Sequence, residues 1–192
     1  MSRPGRLAVL CALVCALSTS LPALAAGNRT VLHYGDSLAL GTEIYLDGFL
    51  PGWRVRASTE ISRHASDVPA ALRALGPSLP RVIIVSAGTN DDPGAVSRFA
   101  GVVRETVAIA GRSRCVVWST IVRPPYQGVS YAGYNQALRT VASRHPNLRV
   151  FEWDAMARSH PAWFGRDGVH PTATGYRARA AAIARLVQRC GT

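Results

Sequence analysis

The sequence contains no lysine: all 22 basic residues are arginine, set against 11 acids, for a formal net charge of +11. An excess of that size would suit nucleic acid or an acidic polymer. Yet the arginines are scattered singly, no run of five basic residues occurs, and neither zinc-ligand spacing nor a nucleic-acid-binding module accompanies them. Nucleic acid is therefore not expected as a partner, and the exclusive use of Arg reads as codon composition. Charge is also sparse, at 17% of residues against 48% hydrophobic. That excludes a disordered tail and leaves enough apolar material for one core. No internal repeat and no linker divides the 192 residues, so one domain is expected.

Long hydrophobic runs are missing too. The longest, 7–17, has 11 residues, too few to cross a hydrocarbon core of about 30 Å. Arg3 and Arg6 precede it, and Ala23-Leu24-Ala25 follows as a small-residue cleavage pattern. Cys11 and Cys15 follow Leu10 and Val14, where a lipoprotein signal would need a small residue. Residues 1–26 are read as a cleaved secretory signal and 27–192 as the mature domain, secreted or held in the cell envelope or periplasm without membrane insertion. Cleavage removes two cysteines, and Cys115 and Cys190 remain. In an exported protein that pair is a disulfide candidate, with two buried free thiols as the alternative.

The mature chain alternates strand and helix patterns. Strands are expected over 30–34, 53–57, 81–86, 115–119 and 148–153. Helices are expected over 38–50, 68–75 (capped by Asp67), 92–111, 131–145 and 172–188. The apolar run 82–85 suits a central parallel strand, buried on both faces. Short strands separated by helices call for a three-layer α/β/α sandwich around a five-stranded parallel sheet, joined by right-handed crossovers. In such sheets ligands bind beyond the carboxyl ends of the strands. On this topology Cys115 begins the fourth strand at the amino edge, and the last helix returns Cys190 to that same edge.

Three polar clusters stand out, two just after strands and one just before the last helix. Gly35-Asp36-Ser37-Leu38 places a serine at a helix N-terminus, where free N–H groups stabilise developing negative charge. A plain N-cap would look the same, and Ala39 stands where a G-x-S-x-G elbow would have its second glycine. Asp167-Gly168-Val169-His170-Pro171 offers a base and its orienting carboxylate three residues apart, and it also reads as a turn. Gly88-Thr89-Asn90-Asp91 brings an amide donor to the same edge.

In this order the three blocks resemble those of the SGNH (GDSL-type) hydrolase family. The resemblance implies Ser37 as nucleophile, His170 as general base and Asp167 as its orienter. It also implies an oxyanion hole from the Ser37 backbone N–H and the Asn90 amide. The family usually supplies a third donor from a glycine after strand two; here Ser62, in Thr59-Glu60-Ile61-Ser62-Arg63, stands nearest that position. A backbone N–H survives this exchange where Ser tolerates the local φ/ψ. Trp118, Tyr134-Asn135 and Trp153-Asp154 add a weaker likeness to polysaccharide-modifying branches.

Trp118 and Trp153 read as strand residues in the core, and Trp163 and Phe164 as candidates for an acyl-pocket wall. His33, His64, His145 and His160 have no metal-ligand spacing, and neither metal nor cofactor is expected. The expected protein is a monomeric serine esterase acting on a small-molecule or carbohydrate ester, with short acyl groups favoured because no length is spare for a lid. An acyltransferase using the same triad, and a non-catalytic carbohydrate-binding protein on the same scaffold, are the alternatives.

Overall fold

The computed structural model describes residues 29–190; the expected leader over 1–26 lies outside them. Five parallel strands form one sheet in the order β2-β1-β3-β4-β5. They are β1 (Arg29–Gly35), β2 (Trp53–Thr59), β3 (Val82–Ser86), β4 (Cys115–Ser119) and β5 (Leu148–Phe151). Six helices connect and cover them: α1 (Ser37–Phe49), α2 (Val68–Leu75), α3 (Val96–Ala110), α4 (Ala132–Ala142), α5 (Trp153–Arg158) and α6 (Ala173–Cys190).

The period-2 alternation of the strands builds two cores. Leu32, Ile83, Val85, Val116 and Trp118 face α2, α3 and α4, where Val68, Leu72, Phe99, Val103 and Leu138 meet them. Val31, Val82, Ile84 and Val117 point the other way, against Leu46 of α1, Trp153 of α5 and Ile183 and Val187 of α6. β3 is buried at every residue, as its unbroken apolar run implies. β2 closes one edge with the exposed Arg54 and Arg56, and none of its residues is fully buried.

Chain order reverses between β1 and β3, so β1 has β2 on one side and β3 on the other. That reversal opens a crevice at the carboxyl ends of β1 and β3, and the loops after these strands carry Ser37 and Asn90.

Several local expectations are corrected. Trp153 does not lie on a strand: β5 ends at Phe151, and Trp153 opens the unforeseen helix α5. Asp67 caps α2 only by position. A short 3₁₀ turn, Ala65–Asp67, comes first, and the Asp67 carboxylate accepts instead from the His64 N–H at 3.2 Å. α3 starts at Val96 rather than 92, because Asp92 accepts from the Gly94 N–H and closes a turn of its own. Cys115 and Cys190 are joined in a disulfide, Cα to Cα 5.8 Å, within the usual range of a bridge. Among the described residues no helix is long and apolar enough to cross a membrane.

Candidate functional site

Gly35 lets two strands meet where the chain must turn: a Cβ there would lie 2.2 Å from the Ser86 carbonyl oxygen. That oxygen accepts the Asp36 N–H at 2.9 Å. The Asp36 carboxylate, fully buried, caps α1 by accepting from the Leu38 N–H at 2.9 Å. Ser37, the first residue of α1, is thereby held at the crevice, and its own N–H is not consumed by the cap.

From the opposite side comes the loop before α6. The Gly165 N–H donates to the His170 carbonyl at 2.9 Å, and Gly168 takes a left-handed φ of 64° between them. Asp167 Oδ1 accepts from the N–H groups of Val169 (2.9 Å) and His170 (3.0 Å), while Oδ2 lies 2.7 Å from His170 Nδ1. His170 Nε2 lies 2.9 Å from Ser37 Oγ. The imidazole beside Asp167, helped by the two backbone N–H groups, holds that carboxyl down to about 2. Charged throughout the neutral range, it fixes the proton on Nδ1 and leaves Nε2 to accept from the serine.

The wall beside Ser37 is built by the segment after β2. The Glu60 N–H donates to the Gly35 carbonyl at 3.0 Å, which ties this segment to the end of β1. Ser62 has φ 64°, a conformation that favours glycine. Ser thus occupies the left-handed position in which the resemblance would place a glycine. Asn90 Nδ2 donates to the Arg63 carbonyl at 3.2 Å, which orients the amide, and Asn90 and Ser62 line one cavity.

Beneath the serine lies a polar layer. His33, Ser86 and Ser119, each at or near the end of its strand, are buried with Arg179 of α6. Arg179 donates to Ser86 Oγ at 2.8 Å and to Ser119 Oγ at 3.3 Å, and its guanidinium lies over the rings of Phe151 and Trp153. Burial lowers Arg179 to about 10, opposed by the charge of Asp36, so the side chain remains a cation at neutral pH. Burial raises the Asp36 carboxyl, opposed by the Leu38 hydrogen bond and by Arg179. His33, in which neither ring nitrogen meets a protein partner, is pushed by burial and then by Arg179 down to about 3.

Ser37, Asp167 and His170 come together as expected, and Ser62 and Asn90 share the adjoining wall. Trp163 and Phe164 do not line the cavity that Ser62 and Asn90 share. Trp163 stacks on Trp153 at 5.9 Å and Phe164 tilts against it at 5.8 Å, in the α6-side core. Sequence reasoning did not single out Arg179, although Gly175, Arg179, Ile183 and Val187 repeat every four residues, so the arginine interrupts an apolar stripe. It also passed over the pairing of His64 with Asp91 (Nδ1 to Oδ1 2.6 Å), which has no signature because 27 residues separate the two.

The sequence profile of the GDSL-like lipase/acylhydrolase family matches residues 25–178. No curated protein matches the chain. Among solved structures, the C-terminal catalytic domain of peptidoglycan O-acetyltransferase A from Streptococcus pneumoniae superposes with a TM-score of 0.70 at 22% identity, covering 85% of this chain and 94% of that one. A lipolytic protein of the G-D-S-L family from Veillonella parvula gives 0.63 at 17% identity, over 82% and 96%. A family 3 carbohydrate esterase from Clostridium thermocellum gives 0.62 at 11% identity, over 84% and 98%. At these identities the likeness is one of fold.

Proposed function

The chain belongs to the GDSL-like lipase/acylhydrolase family of ester-hydrolysing enzymes, and on that premise we propose that it is an exported, monomeric serine esterase cleaving short-acyl or carbohydrate-linked esters through Ser37, His170 and Asp167. The observation that carries this reading is the unbroken relay from Ser37 Oγ through His170 to Asp167, with contacts of 2.9 and 2.7 Å at a strand-to-helix turn.

In the first half-reaction Ser37 Oγ attacks the ester carbonyl while Nε2 of His170 takes its proton. The oxyanion forms against the N–H of Ser37, the Asn90 amide and the N–H of Ser62. Collapse breaks the C–O bond to the alcohol, which leaves with the proton from His170. Water then attacks the acyl-serine, gives its proton to His170, and releases the acid as the proton returns to Ser37. The His170 and Asp167 side chains are about half exposed, 47% and 50%, so among the described residues nothing buries this end of the triad. That openness favours a second reading in which an alcohol replaces water and the acyl group is transferred. The fold likeness to an O-acetyltransferase catalytic domain supports the same alternative. Export is supported by the Cys115–Cys190 disulfide; N-terminal sequencing of the exported protein should begin near residue 27.

Ser37→Ala should lower hydrolysis of 4-nitrophenyl acetate by about 10³-fold or more without shifting the melting temperature. A serine-directed phosphonate should label the wild type at Ser37, and EDTA should leave the rate unchanged. A variant keeping a tenth of wild-type turnover would overturn the serine mechanism. Adding an alcohol acceptor and measuring the new ester against free acid separates transferase from hydrolase.

A further inference from the structure

The wall that holds Ser62 and Asn90 encloses a cavity of about 350 Å³, whose other lining side chains include His64, Arg123, Tyr126 and Tyr131. Its lining segments are tied to both loops that carry the triad. The Glu60 N–H ties the Ser62 segment to Gly35. Pro124, next to Arg123, lies so near the loop between Asp167 and His170 that a Cβ on Gly168 would come within 3.2 Å of it.

Two features set the chemistry of this cavity. First, none of its lining residues is aliphatic. An alkyl chain placed there would leave polar groups without partners and gain little apolar contact. Second, its side chains are fixed from behind before any ligand arrives. Asp91 accepts from the Ala65 N–H at 3.1 Å and holds His64 by Nδ1 at 2.6 Å, so Nε2 is the ring nitrogen left for a ligand. Arg123 donates one N–H to the Thr89 carbonyl and lies over the rings of Tyr126 and Tyr131. Tyr126 is clamped to Val129 by two backbone hydrogen bonds of 3.0 Å around a turn whose central residues, Gln127 and Gly128, both have positive φ. Tyr126 is nevertheless exposed where it lines the cavity, and Arg123 lies over its ring.

A rigid arrangement of acceptor, donors and one exposed tyrosine matches a molecule that is hydroxylated around its edge and flat on one side. We propose that this cavity is the subsite for the alcohol half of the ester and that this alcohol is a saccharide, with His64 Nε2 accepting from a sugar hydroxyl and Tyr126 packing against the ring. The proposal rests on the esterase reading and adds to it a substrate class and two specificity residues.

Two acetates of equal acyl length test it in a pH-stat: 6-O-acetylglucose and ethyl acetate. The wild type should favour the sugar ester by about tenfold or more in kcat/KM. His64→Ala and Tyr126→Ala should each raise KM for it about threefold to tenfold, the value of one lost polar or packing contact. kcat should hold, and rates on ethyl acetate should stay within about twofold. His64→Gln, which can still accept a hydrogen bond, should recover most of the loss. Equal losses on both esters, or no sugar preference in the wild type, would overturn the subsite while leaving the esterase intact. Failure to cleave either ester would remove the esterase reading itself.

Discussion

At Ser62 the proposed role falls to the backbone and not to the side chain. Its φ of 64° places it in the left-handed region, which costs a non-glycine residue on the order of 1 kcal/mol. The group that would face an oxyanion is the backbone N–H, which serine and glycine share. Ser62→Gly should therefore leave kcat within about twofold. The relief of strain is partly offset by the greater freedom of glycine in the unfolded chain. A net gain of a few tenths to about 1 kcal/mol is expected, or roughly 1–4 °C in melting temperature for a domain of this size. Calorimetry beside a rate assay checks both; a fall in kcat with an unchanged melting temperature would give the Ser62 hydroxyl a role of its own.

At the scale of elements, the sheet edge was legible and the layer under it was not. Strand periodicity placed β1, β3 and β4, and the polar clusters that follow two of these strands were readable because turns concentrate Gly, Asp and Ser. The helix α5 was missed because Trp153 extends the apolar run of β5, and the bend at Glu152 is made by tertiary contacts. The Thr120 hydroxyl accepts the Asp154 N–H at 2.9 Å, and Trp153 packs with Phe151 and Trp163. The Tyr126 turn hid because Gln127 has no strong preference for positive φ. His33 reads as one more strand residue, yet it is buried against Arg179 with its ordinary titration suppressed to about 3. Between that value and about 6.5, the unfolded chain binds a proton at His33 that the folded chain does not. Folding stability must therefore fall as pH drops through this window, by about 1.4 kcal/mol per pH unit. Asp36, raised by burial, acts in the opposite sense but remains in place when only His33 is changed. His33→Leu should thus lose about 2–3 kcal/mol less than the wild type between pH 6.5 and 4.5, read from urea midpoints at the two pH values. Parallel losses in the two proteins would show that His33 takes up its proton while folded.

For the molecule as a whole, the chemistry and the covalent tie lie at opposite edges of one sheet. Ser37 and His170 stand at the carboxyl ends of the strands. Cys115 opens β4 at the amino edge, and α6, running back from His170, delivers Cys190 to it. The 75-residue separation encloses α4, β5, α5, the Asp167–His170 loop and α6. Closing a loop of that length removes unfolded-state entropy worth on the order of 4 kcal/mol. The strands and α6 also share an apolar core, in which Val31, Ile84 and Val117 cluster with Ile183 and Val187. Loss of the disulfide should therefore act on the unfolded ensemble and leave the native geometry at the far edge in place. The Cys115→Ser/Cys190→Ser double variant should melt on the order of 10 °C lower, with kcat and KM within about twofold of wild type at 25 °C. Intact mass after alkylation, with and without reductant, establishes the bridge in the wild type; two thiols alkylated without reductant would mean that it does not form. A melting temperature unchanged in the double variant would show that α6 is held by its apolar face alone.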